Sequence, residues 1–294
     1  MPIVSAIAVP PAAILGDTKR MKWNARIPVL AVAALALLST TGCSKLMARD
    51  QLVKGVQAYK AAQYEQAIDH FQRSIQLDPT YPQARLYLAI AYAQQVVPNV
   101  QDPDNLKTAQ DAIDNFQVVL QRDPHDIMAL KQIAAINFNI NKFDVAKEYQ
   151  QKVIAEDPKD AEADYTIGVI DWTLAYKNAT QTLADVGIKD NGEGNAKKDK
   201  ATCAKLQSQN TALVNEGLQY LQQAVNINPT YENAMSYINL TYRRKADLEC
   251  PNDAARQADV DQATQWASRA LDARKANEEK KNNAAPAGVE MPSQ

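Results

Sequence analysis

Histidine is nearly absent, with two in 294 residues, and neither His70 nor His125 stands at ligand spacing from a cysteine or from the other. That leaves no metal signature. Glycine is scarce too, nine in all, and nowhere does it form the loop that cradles a nucleotide phosphate or the Gly-x-Ser-x-Gly elbow of a serine hydrolase. Basic excess is missing. The net charge is −2, and residues 1–42 hold four of the 32 basic groups and one of the 34 acids, so without them the balance is 28 against 33. Nucleic-acid binding relies on basic side chains that neutralise phosphates, so no nucleic-acid partner is expected. The acids are spread at solvating positions rather than isolated in a pair for proton transfer. The sequence reads as that of a non-enzyme with no cofactor and no metal.

What is present is a helical pattern. Hydrophobic residues make up 46% of a chain with little glycine, which suits an all-α protein. The stretch Gly55 to Pro79, GVQAYKAAQYEQAIDHFQRSIQLDP, reads as two short helices that turn back on each other. Tyr64, Ala67, Ile68, Phe71 and Ile75 fall on one helical face, Glu65, Gln66, Asp69 and Arg73 on the other, and Pro79 ends the second helix. The same ending returns at Asp123-Pro124, Asp157-Pro158 and Asn228-Pro229. The prolines are 45, 34 and 71 positions apart, that is, one 34-residue period with 11 and 37 residues added to two of its turns. A helix pair recurring every 34 residues resembles the tetratricopeptide repeat, TPR. The resemblance implies about five helical hairpins over residues 48–275, stacked as a right-handed α-solenoid, with each pair stabilised by its neighbours.

Repeat one occupies about 48–81, with Gly55 and Ala67 at the close crossing and Phe71 between the helices. Repeat two starts near Pro82 and carries an insert at about 94–105, read as a loop from its two prolines and two aspartates. Repeat three, from Ile127, has none. Repeat four starts near Ala161 and is interrupted by some 37 residues before a second helix expected from Thr211 to Asn228. That insert, 177–210, includes DNGEGNAKKDK at Asp190 to Lys200, expected to be exposed and mobile at its tip. Repeat five starts near Glu232 with an insert around Pro251. Residues 276–294 are expected to be a disordered tail. Every insert falls between the first and second helix of its repeat, so all should cluster along one edge.

Met21 to Cys43 has a basic start (Lys22, Arg26), an uncharged apolar run from Ile27 to Leu38, and small residues before a cysteine. Twelve apolar residues are few for a bilayer span, so 21–42 is expected to be a secretory signal peptide, the alternative being an uncleaved anchor. Residues 1–20 precede it and are expected to be a mis-called start. Leu38-Ser39-Thr40-Thr41-Gly42-Cys43 resembles the lipobox of bacterial lipoproteins, with Thr40 where leucine is usual. The resemblance implies acylation of Cys43, a tether over 43–47, and, because Ser44 rather than aspartate follows, an outer-membrane address facing the periplasm. The membrane is then a partner through the lipid only.

With Cys43 acylated, Cys203 and Cys250 remain. Both sit at inserts on the same expected edge, and an oxidising envelope would join them in a disulfide. Two free buried thiols are the alternative.

In TPR proteins the concave surface is lined by set positions of each first helix. Carried over, these are Leu52, Val56, Tyr59 and Lys60, then Leu86 and Ile90, then Lys131, Phe138 and Asn139, then Tyr165, Val169 and Trp172, and last Leu240, Arg243 and Arg244. Such a groove is apolar and aromatic with a basic end. It suits an amphipathic helix or an extended segment of another protein with an acidic terminus near Arg243 and Arg244. The same residues packing on each other or on an insert is the alternative. The lysines and asparagines that clamp chaperone carboxylates are not at their places. The implied function is a lipid-anchored scaffold for protein–protein interaction in assembly of a cell-envelope complex. The alternatives are an adaptor of cell-wall enzymes and a carrier of a small apolar ligand.

Overall fold

The computed structural model describes residues 26–194, 199–250 and 252–284, with side chains from Cys43 onward. Residues 1–20 lie outside the described residues, and of the expected signal peptide only the helical backbone of 26–42 is described.

The described residues form ten helices and no strand. They are α1 (Arg26–Lys60), α2 (Tyr64–Leu77), α3 (Pro82–Ala93), α4 (Pro103–Arg122), α5 (Ile127–Asn139), α6 (Phe143–Glu156), α7 (Ala161–Ala184), α8 (Lys200–Ile227), α9 (Glu232–Ala246) and α10 (Asp253–Ala284). Consecutive helices pack in pairs, each pair packs on the next, and α1 touches α3 as α7 touches α9. This is the α-solenoid of five TPR-type hairpins that the periodicity predicts.

The recurrent Asp-Pro or Asn-Pro has a local reason. Asp78, Asp123, Asp157 and Asn228 each end a helix in extended backbone, φ between −124° and −143°. The side-chain Oδ1 of each accepts from the backbone N–H two residues on, at Thr80, His125, Lys159 and Thr230, at 3.0 to 3.1 Å. The residue before proline is driven out of helical backbone, and the Asx turn then fixes the direction of exit. Two of the four helices that follow these turns are also capped, Asp126 accepting from Ala129 N and Asp160 from Ala163 N, and α4 is capped by Asp102, which accepts from Asn105 N.

Eight residues before each proline lies the residue that fills its hairpin. Phe71, Phe116 and Leu221 are fully buried there, each worth roughly 1.5–3 kcal/mol of apolar transfer. In repeat three this place is held by Gln150, which is buried as well. Glycine sets the closest crossings. A Cβ on Gly55 would lie 2.4 Å from Phe71, and one on Gly168 would lie 2.4 Å from Leu221 Cγ.

The inserts depart from expectation in their form. The first is nine residues, 94–102, because Pro103 already opens α4. It is ordered from within: Asn105, buried in the first turn of α4, accepts from Val97 N and donates to the carbonyls of Val97 and Val100. The insert at 177–210 is mostly helix. α7 continues to Ala184 and α8 begins at Lys200 rather than Thr211, because Ala175, Ala179 and Leu183 recur at one-turn spacing and bury against Leu206 and Val214. The first residues of the expected mobile tip are held instead. Asp190 pairs with Arg244, and the Gly192 and Glu193 carbonyls accept from Arg243 and Arg256. α10 likewise runs to Ala284, so 276–284 is helical rather than a loose tail, and 285–294 lie outside the described residues.

The inserts do reach along one edge. Asn99 N donates to Asn139 O and Gln101 to Ile140 O, which places the insert of repeat two on the turn of repeat three. Cys203, near the start of α8, forms a disulfide with Cys250 in the turn of repeat five, with Cα atoms 6.1 Å apart.

Candidate functional site

A cleft of about 420 Å³ lies across repeats three, four and five. α5 contributes Lys131, Phe138 and Asn139, α7 contributes Tyr165 and Val169, and α9 contributes Tyr237. The five residues of α5 and α7 just named are expected groove positions that the fold brings together. Gln150 of α6 also lines the cleft, although it stands at a core place.

Aromatic rings continue the wall. Tyr165 lies 5.0 Å from Tyr231 and 5.7 Å from Tyr237 between ring centroids; Trp172 meets Tyr237 edge-on at 5.2 Å and stacks on Tyr176 at 5.2 Å. Such offset and edge contacts hold the rings rigid. Burial pushes the Tyr165 phenol up to about 12 and raises that of Tyr237, so both stay neutral donors across the physiological range. Two polar atoms here are buried without a hydrogen-bond partner, Gln150 Oε1 and Trp172 Nε1.

Charge at the mouth is mainly negative. Lys131 Nζ pairs with Asp160 and lies 3.5 Å from Glu162. Asp164, one turn along α7 from Asp160, does not line the cleft; it is buried, and desolvation with the Asp160 charge raises its carboxyl to about 6.

The other expected groove residues lie elsewhere. Leu52 is buried in the first repeat, with Val56 and Tyr59 packed against the same cluster and Lys60 exposed at the end of α1. Leu86 lines a separate cleft of about 200 Å³ between α3 and α4, and Ile90 packs on the core of repeats two and three. Leu240 is half-buried on α9.

The expected basic end is spent inside the chain. Arg244 is 3% exposed, with Nη1 2.8 Å from Asp190 Oδ2 and 3.1 Å from Asp247 Oδ2. Arg243 donates to Gly192 O at 2.9 Å and to Asn239 Oδ1 at 3.2 Å. A buried guanidinium needs its counter-charges close by, and the insert of repeat four supplies one of them. Neither arginine forms an open receptor for an acidic terminus in this arrangement. Cys43 is an exposed free thiol on α1.

Residues 56–96 match the family model described as TPR repeat. A comparison with curated protein sequences finds no match. Among solved structures the fold is similar to a crystal structure of MamA protein, at 18% identity and a TM-score of 0.51, over 83% of this chain and 98% of that one. It is also similar to MamA 41-end from Desulfovibrio magneticus RS-1, at 16% identity and a TM-score of 0.52, over 78% of this chain and 96% of that one. Likeness at this identity is one of fold alone. Together with the hairpin order and the match at 56–96, it identifies the architecture as a TPR-type solenoid.

Proposed function

We propose that the protein is a lipid-anchored scaffold that captures a segment of another protein in the cleft across repeats three to five, in assembly of a bacterial cell-envelope complex. The observation that carries this is the cleft itself, a preformed apolar wall of Phe138, Tyr165, Val169 and Tyr237 with a few polar groups among them. Recognition sites commonly have this composition. An exposed Cys43 at the end of an apolar, uncharged run supports the anchor, and a Cys203–Cys250 disulfide suits an oxidising compartment such as the periplasm.

Metabolic labelling with a fatty-acid analogue tests the anchor: label and membrane fractionation should be present in the wild type and absent in Cys43→Ala. A photocrosslinking residue at Ala135, which lines the cleft, tests the scaffold. It should trap discrete envelope proteins, whereas the same residue at exposed Gln223 on α8 should not. Equal trapping at both would reject the cleft as the capture site.

A further inference from the structure

The cleft of repeats three to five has a feature that packing does not account for. At the place eight residues before the closing proline, Phe71, Phe116 and Leu221 fill their hairpins with hydrocarbon, whereas Gln150 puts an amide there. Gln150 is 5% exposed, lines the cleft, and its Oε1 accepts from nothing. A buried acceptor left empty costs about 1–3 kcal/mol relative to an apolar group of the same shape. Phenylalanine or leucine would fit the repeat and avoid that cost. That oxygen is closed off in the free protein, and a donor from outside reaches it once the side chain turns into the cleft that it lines.

The charges point the same way. Of the residues that line the cleft, Lys131 is the one cation, and Asp160 and Glu162 already flank it. That leaves two carboxyls against one ammonium at the mouth. α6 and α9 present Gln150 and Tyr237, both neutral, and α5 adds Gln132 and Asn139. A ligand carboxylate would meet this acidic excess at the mouth and an acceptor at the base, both repulsive to it.

Resting on the cleft reading above, we infer that the captured segment is cationic. It presents a lysine or arginine to Glu162 and Gln150 Oε1, and an aromatic or aliphatic side chain beside it to Phe138, Tyr165 and Tyr237. This reverses the acidic partner that Arg243 and Arg244 suggest in the sequence.

Three end-capped peptides carrying the same uncharged fluorophore decide it, Lys-Phe-Lys-Leu-Lys and its glutamate and glutamine counterparts, titrated against the full chain by anisotropy at 150 mM salt. The lysine peptide should bind about tenfold tighter than the glutamine peptide and lose affinity as salt rises, with the glutamate peptide weakest. Glu162→Gln should flatten the salt dependence. Gln150→Leu should lower affinity for the lysine peptide about tenfold and raise the urea midpoint of the free protein. A residue with a structural role alone would not combine those two effects. Equal affinity for the three peptides, or preference for glutamate, overturns the cationic assignment and leaves the cleft standing. Binding of none overturns the cleft reading with it. Unchanged affinity in Gln150→Leu removes the acceptor from the argument.

Discussion

Asp190 Oδ1 and Oδ2 accept from Arg244 Nη2 and Nη1 at 3.1 and 2.8 Å, so a carboxylate from the insert of repeat four closes on a guanidinium from the first helix of repeat five. The pair is bidentate and largely out of water, the geometry in which charge-assisted hydrogen bonds are strongest. Removing the cation would leave Asp190 and the fully buried Asp247 without their shared counter-charge. Arg244→Met is therefore expected to lower stability by about 3–5 kcal/mol and Asp190→Asn by about 2 kcal/mol, measured by urea unfolding. An Arg244→Met midpoint no lower than that of Arg243→Met would refute the role assigned to this pair.

The disulfide acts on the same two repeats. In the chain-entropy account, a closed loop of this size adds up to about 4 kcal/mol. Reductant should lower the thermal midpoint of the wild type and leave a Cys203→Ser/Cys250→Ser variant unchanged. Hydrogen exchange should show the loss in α8, α9 and α10 with α1 to α4 untouched, and uniform loss along the chain would contradict a local role.

Asp164 should make stability fall as pH rises. Its folded pKa, raised to about 6 by burial and the Asp160 charge, lies above the 3.8 of a free aspartate. Between these values the folded state binds more protons than the unfolded state. The favourable contribution is complete below about 4 and is lost as pH rises through about 6. Asp164→Asn should therefore raise the urea midpoint at pH 7.5 more than at pH 4. An identical gain at both would show that the carboxyl ionises freely.

Gly168→Ala places a Cβ 2.4 Å from Leu221 Cγ and 3.1 Å from Gly217 O, on a helix face with no room to yield. Alanine favours a helix by about 1 kcal/mol over glycine. The overpacked crossing should outweigh this, for a net loss of about 1–2 kcal/mol by thermal unfolding. Gly187, which meets nothing within 4 Å but has φ +71°, is the contrasting site. Alanine there is strained by its backbone alone and should cost about 1 kcal/mol with α7–α8 packing intact.

The hairpins are legible in the sequence because their signals are local. Asp78 and Asp157 each shape a turn through a bond two residues on, and Phe71 and Phe116 recur at a fixed distance from the proline that follows. The long α7–α8 hairpin is less so. The charged glycine stretch from Asp190 draws attention from the one-turn spacing of Ala175, Ala179 and Leu183, which already marks a continuing helix. Repeat register places Tyr165 and Phe138 at the cleft, but following apolar positions passes over Gln150, whose polarity at a core place is the informative sign. The burial of Arg244 has no local sign at all. Its partner Asp190 lies 54 residues away, and only folding brings an insert onto the turn of the next repeat.

The Cys203–Cys250 bond has a mechanical consequence. A chain tethered at one end and loaded at the other would ordinarily yield its last hairpin as slack. Here the 47-residue separation between the cysteines is closed into a covalent ring holding most of α8 and all of α9. Tension applied at the C-terminus can peel α10 away, but it then bypasses the ring. About 160 Å of contour length, at roughly 3.4 Å per residue, stays hidden until a thiol opens the bond, so in an oxidising compartment the far end of the solenoid is a short leash and in a reducing one a long tether.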